Sequence, residues 1–274
     1  MSKKTTTLVI LLAFLVVLII VCIYIKNGLG SDPSSSEETE SNNTTNDFQD
    51  TTDETSLMPS DDKRFTVNPK AISERHSIEG VTLIFNSVNC PVFEEAEGYN
   101  LEKINSTLWD YCENFVKITS SDRSVVEEDY DTAIIDGFDF EPYEKAADYN
   151  LFFKENTVSI KFEAFEQSGG ADNDNYIFAL CFDLVSGKRL TFGDFAGKTE
   201  DEANEYISSA FEKLISENPE NFFDDALELL PSVIDKYSYY LTSGGVTLFL
   251  NSSVISPNAL GIQTIVIPYS ELTA

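Results

Sequence analysis

From Leu8 to Ile25 the chain runs through 18 residues that are apolar or aromatic apart from Cys22, with no charge among them. At about 1.5 Å per residue a helix of this length measures roughly 27 Å, close to the ~30 Å hydrocarbon thickness of a bilayer. Lys3 and Lys4 precede the run and Lys26 follows it, ahead of an acidic stretch. The positive-inside bias therefore predicts residues 1–7 as a cytoplasmic stub, 8–25 as a single transmembrane helix, and the remainder outside the membrane. A cleaved signal peptide is the competing reading, because Gly28-Leu29-Gly30 offers a small-x-small site, but its apolar region is usually only about 7 to 15 residues long. An uncleaved signal-anchor is the expectation.

Residues 26–64 read as a disordered acidic linker. Between Ser31 and Asp62 stand ten acids and no base, among mostly Ser, Thr and Asn. Such a segment has too little apolar surface to offset the entropy of ordering it. Its acids explain only part of the charge of the chain, which has 47 acidic against 18 basic side chains and a net charge of −29. Without those ten acids and the five bases before residue 65, 37 acids and 13 bases remain, a charge of −24. An ectodomain this acidic cannot build the basic stripe that nucleic acid requires, and it points to a cationic or neutral partner.

Period-two and helical patterns alternate irregularly along residues 65–274. Strands are expected at 72–78, 81–85, 149–154, 158–165, 176–184, 190–192, 239–241, 246–250 and 262–267. Asn100 opens a helix whose Leu101, Ile104, Leu108, Cys112 and Phe115 form one stripe. Thr199 and Glu202 have capping-box spacing ahead of a second helix, and a third runs from Phe222 to about Tyr237, interrupted at Pro231. The acidic stretch Thr119–Asp139 reads as loop. This order predicts an α+β fold of antiparallel sheets with packed helices, in two subdomains that meet near residues 167–174, preceded by the transmembrane helix and the linker.

Several short segments then occur in a recognisable order: Ser168-Gly169-Gly170-Ala171, Phe182 to Lys188, Asp194-Phe195, Tyr240-Leu241 leading into Val246 to Phe249, Pro257 to Gly261, and Ile267-Pro268-Tyr269-Ser270. In this the chain resembles the DUF3298 family, with a preceding DUF4163-like region. The resemblance implies a DUF4163-like subdomain at 65–167 and a DUF3298-like subdomain at 168–274. Relatives of that pair include the extracytoplasmic region of anti-sigma-V-type lysozyme sensors and a non-catalytic region of peptidoglycan deacetylases. The resemblance thus implies a membrane-anchored extracytoplasmic binding or sensing module of the bacterial cell envelope. Its partners would be a lysozyme-like cationic protein or cell-wall glycan, and its binding loops would hold Ser168, Gly169, Gly170, Asp172, Pro257, Asn258 and Tyr269. Residues 1–7 are too short to hold a sigma factor, and Asp172 and Asn258 depart from the residues common at those positions.

The alternative is a carboxylate- or metal-dependent cell-wall hydrolase. His76 is the only imidazole, which excludes His-rich zinc sites and leaves nucleophilic triads one residue to depend on. Acid clusters at Glu127–Asp131 and Asp172–Asp174 lack EF-hand spacing. No catalytic residue, metal site or cofactor is expected. Outside the apolar run are Cys90, Cys112 and Cys181. Cys90 follows the first strands and Cys112 lies on the apolar face of the next helix, so a Cys90–Cys112 disulfide is one reading and three buried free thiols the other.

Overall fold

In the computed structural model, which describes Arg64, residues 66–169 and residues 173–272, the long period-two segments pair into one six-stranded sheet. Its strands lie in chain order: β1 (Val67–Ile78), β2 (Val81–Phe93), β3 (Tyr143–Lys154), β4 (Thr157–Gln167), β5 (Asn173–Asp183) and β6 (Arg189–Leu190). Two-residue turns join β1 to β2 and β3 to β4; the first places both Glu79 (φ 49°) and Gly80 (φ 87°) in the left-handed region that tight hairpins demand. Every neighbouring pair is antiparallel except β2 and β3, which run parallel. The connection allows that exception, because parallel neighbours need a long crossover and two helices supply it here.

The first of these helices, α1 (Leu101–Val116), is the one its apolar spacing predicts, with Val116 rather than Phe115 completing the buried stripe. It packs on Val88, Cys90 and Phe93 of β2, on Val158, Ile160 and Phe162 of β4, and on Leu180 and Phe182 of β5. The second helix, α2 (Ser120–Asp136), replaces the loop expected over Thr119–Asp139. Thr119 and Asp122 form a full capping box and Gly137 (φ 74°) ends the helix, so local capping signals decide the structure where apolar periodicity is absent.

On the opposite face of β5, Ile177 and Ala179 meet Tyr240 and Phe249, and Cys181 enters a second core. This layer comprises α3 (Phe192–Ala196), α4 (Glu200–Glu217), α5 (Ala226–Val233), the antiparallel strands β7 (Tyr239–Leu241), β8 (Val246–Leu250) and β9 (Gln263–Ile267), and α6 (Tyr269–Leu272). The strand expected at 190–192 is cut short because Thr191 and Asp194 form another capping box that turns Phe192 into α3. Pro231 lies inside α5, and the helical stretch expected from Phe222 begins only at Ala226. The architecture is thus mixed α+β with a sheet rich in antiparallel pairs. Where the subdomain division was expected, β4 and β5 pair along their whole length, from Thr157–Asp183 to Gln167–Asn173.

Among the described residues no helix is long and apolar enough to cross a membrane. The run 8–25 and, apart from Arg64, the linker 26–64 lie outside the described residues.

Candidate functional site

Helix α2 is attached to the sheet by a small apolar cluster, in which Val126 and half-buried Tyr130 pack with Ile78, Leu83, Ile84 and Ile118, and by polar contacts around it. Val126 is its single buried side chain. His76 Nε2 on β1 lies 2.7 Å from Glu127 Oε1, and Glu74 accepts from the Ile118 N–H at 3.2 Å and from Arg123 at 3.4 Å. The Tyr143 hydroxyl donates to Asp129, and this hydrogen bond to a carboxylate, with burial, pushes the tyrosine pKa up to about 12. Tyr130 meets Phe140 edge to face at 5.2 Å. Sites that the sequence presents as an acid cluster are therefore spread around a helix. Glu127 is half-buried against His76 and the exposed Asp129 is bonded to Tyr143, while Glu128 and Asp131 face solvent.

The far end of α2 carries large apolar side chains in water: Ile134 is 61% exposed, Ile135 83% and Phe138 71%. Glu128, Asp131, Asp136, Asp139 and Glu141 around them are exposed as well, and Arg123 is the only base on the helix. Three exposed large apolar side chains within five residues of one another, among exposed acids in the sequence, set this helix end apart from the rest of α2. Sequence reading as loop missed it, although Ile134, Ile135 and Phe138 bracketing a helix-ending Gly137 were a signal open to inspection.

The expected binding loops divide between two ends of the sheet. Ser168 and Gly169 are exposed where β4 ends, beside α2. A Cβ at Gly169 (φ 59°) would stand 2.8 Å from Cε1 of Tyr143, so this backbone lies directly against the α2–β3 connection. Gln167 adds a bond from its Nε2 to Glu141 at 3.2 Å. A cavity of about 240 Å³ opens here, lined in part by Val125, Tyr143, Lys145, Glu166 and Ser168. Pro257 and Asn258 reach the same end of the sheet from the loop after β8. Asn258 Nδ2 donates to Asp174 at 2.9 Å, and Asn251 brackets Ile177, accepting from its N–H at 2.8 Å and donating to its carbonyl at 3.0 Å. Gly170 and Asp172 lie outside the described residues.

Tyr269 belongs elsewhere. Its hydroxyl donates to the Thr242 carbonyl at 2.7 Å, the Lys154 ammonium sits 4.1 Å from its ring centre, and burial pushes its pKa up to about 12. It lines a cleft of about 650 Å³ at the β3–β4 turn with Lys154, Asp183, Lys188, Asp194 and Phe195. The polar groups of that cleft are occupied in turns and caps: Asp183 accepts from the Ser186 N–H at 2.7 Å, and Asp194 caps α3 while pairing with Lys188 at 2.6 Å. Lys188 and the cap bonds hold the Asp194 carboxyl below the usual range. Among the described residues no group of three or more His, Cys, Asp or Glu side chains is arranged to hold a metal ion.

With this geometry the chain was compared with known proteins. Residues 195–270 match the DUF3298 family, described as a protein of unknown function. The matched DUF3298 segment runs from α3 to α6 and includes Pro257, Asn258 and Tyr269 but not the β4–β5 loop or α2. A crystal structure of a DUF3298 member from Bacteroides fragilis aligns over 76% of this chain and 92% of that one, at TM-score 0.50 and 18% identity. A DUF3298 protein from Pseudomonas aeruginosa aligns over the same shares at TM-score 0.48 and 14% identity. No curated protein matches the sequence. The Bacteroides fragilis likeness extends the shared fold well beyond the DUF3298 segment.

Proposed function

We propose that this chain is a membrane-anchored, extracytoplasmic binding module of the bacterial cell envelope that captures a cationic, lysozyme-like protein. The observation that carries the reading is the tip of α2, where Ile134, Ile135 and Phe138 stand exposed among carboxylates. Long-range attraction from a domain of charge −24 speeds encounter, and the apolar tip holds the partner once it has arrived. The apolar run 8–25, read as an anchor, supplies the location in this proposal. Residues 65–167 are the DUF4163-like part and 168–274 the DUF3298-like part, each contributing to the end of the sheet where α2, Ser168 and Asn258 gather.

The test is binding of residues 65–274 to egg-white lysozyme at low and moderate salt. Association is expected to slow as salt rises, because exposed charges are screened over about 8–10 Å near physiological ionic strength. Exchanging Ile135 and Phe138 together for Ser should weaken affinity at least about tenfold at both salts. Absence of binding at either salt removes lysozyme as the partner.

A further inference from the structure

Cys90, Cys112 and Cys181 are all free, buried thiols in the structure, but Cys90 and Cys112 come from different elements and meet in one core. Two side-chain clamps set how β2 lies along α1. At one end Asn105 accepts from the Phe93 N–H at 2.9 Å and donates to the Phe93 carbonyl at 2.8 Å; at the other, Asn86 donates to the Val116 carbonyl at 3.0 Å. The strand and helix therefore run antiparallel in register. Stepping back along β2 from Phe93 to Cys90 covers about 10 Å at ~3.3 Å per residue. Stepping forward along α1 from Asn105 to Cys112 covers about 10.5 Å at 1.5 Å per residue. The two steps end beside each other, and both cysteines face the same cluster, each only 1% exposed.

The pair is also chemically graded. The two side chains act on each other, holding Cys90 below the ordinary thiol range and driving Cys112 above it, while the Cys90 thiol donates to the Pro91 carbonyl at 3.9 Å. Lys70, opposite Cys90 in the β1–β2 register, adds its positive charge, and its ammonium is seated 4.2 Å from the Trp109 ring. Among the described residues no thiol neighbours Cys181: it sits on the other face of the sheet in the second core, contacting Ser159, and burial outweighs the positive charge of Arg189 to push its thiol up to about 11.

We infer that Cys90 and Cys112 are a disulfide pair, closed during folding, and that Cys181 stays a thiol. The oxidant is a disulfide-carrying compound or oxidoreductase. The Cys90 thiolate attacks one of its sulfurs, forming a mixed disulfide and releasing one thiolate. The Cys112 thiolate then attacks Cys90 Sγ, forming the internal S–S bond and releasing the second. The protein dithiol is oxidised by two electrons, the external disulfide is reduced to two thiols, and the two protein protons pass to those thiolates. Closure spans a loop of about 22 residues, which removes entropy from the unfolded chain.

Trypsin separates the partners, because Lys103 lies between them: Cys90 falls in peptide 76–103, Cys112 in 104–117 and Cys181 in 162–188. The full chain is unfolded in reductant, refolded with oxidised glutathione, alkylated and digested. Peptides 76–103 and 104–117 are expected joined, with peptide 162–188 alkylated. The oxidised protein should melt on the order of 10 °C above the reduced one. Cys181→Ser should keep both the link and the difference, and Cys90→Ser should abolish both. Alkylation of Cys90 and Cys112 in the refolded wild-type protein, or a link made through Cys181, overturns the assignment, and this mapping decides even where a variant fails to fold.

Discussion

Helices α1 and α2 follow one another in the same crossover between β2 and β3 and are nearly equal in length, 16 and 17 residues, yet they are held by different physics. α1 buries Leu101, Ile104, Leu108, Cys112 and Val116 against the sheet. α2 buries only Val126, in a small cluster with Leu83, Ile84, Ile118 and half-buried Tyr130, and is otherwise held by its capping box, by Gly137 and by the Glu127 and Asp129 contacts. A helix that spends most of its apolar side chains on the core leaves few outside, as α1 leaves Tyr111. One held by its ends and by polar contacts keeps Ile134, Ile135 and Phe138 for the outside. The contrast places core stability in α1 and leaves the end of α2 as the surface on which the proposed binding rests.

The largest effect that tests this contrast is expected in α1. Leu108 is fully buried among β2, β4 and β5 side chains, so Leu108→Ala should cost about 2–5 kcal/mol, the range for a core leucine whose cavity only partly collapses. Urea unfolding measures it. A loss under 1 kcal/mol would mean that α1 does not hold the core as its stripe indicates.

The same contrast explains what was legible beforehand. Spacings of three and four announce α1 because burial demands them, and alternation announces β4, although its polar face is covered too where Ser159 is buried and accepts from the Leu241 N–H at 2.9 Å. α2 has no such demand, so its residues 120–136 carry no period, and only Thr119, Asp122 and Gly137 mark its ends. The parallel pairing of β2 with β3 is not legible in the sequence, since a long connection permits a parallel return without dictating it. The division of the expected binding loops has a related cause. Ser168 and Asn258 converge through Tyr143 and Asp174, whereas Tyr269 is carried to the opposite end by β9, and no local pattern records which end a strand delivers its successor to.

A smaller effect is expected at the start of α2. Thr119→Ala removes the acceptor of the Asp122 N–H bond and should cost about 1 kcal/mol, within the 0.5–2 kcal/mol found for such caps. The Asp122 carboxyl accepts from the Thr119 N–H at 2.7 Å, and this bond holds its pKa below the ordinary aspartate value. With the folded pKa depressed, its contribution is complete above the unfolded value of about 4 and is lost as pH falls through the folded one. Unfolding measured from pH 6 down to pH 2 should show this acid limb in the wild type and a flatter curve in Asp122→Asn. Equal slopes would mean that Asp122 takes no part in holding the helix.

The smallest effect on stability is expected where the largest effect on binding is proposed. Side chains as exposed as Ile135 and Phe138 lose little contact with water when the chain folds, so replacing both with Ser should shift stability by no more than about 0.5 kcal/mol. Urea midpoints of wild type and double variant should coincide, while affinity for the cationic partner falls. A stability loss above about 1 kcal/mol would show that the tip of α2 packs against another part of the chain. The apolar tip would then be structural, and α1 and α2 would differ in degree rather than in kind. Coincident midpoints with altered binding would instead separate the two helices fully, because the same substitution would be invisible to folding and decisive for recognition.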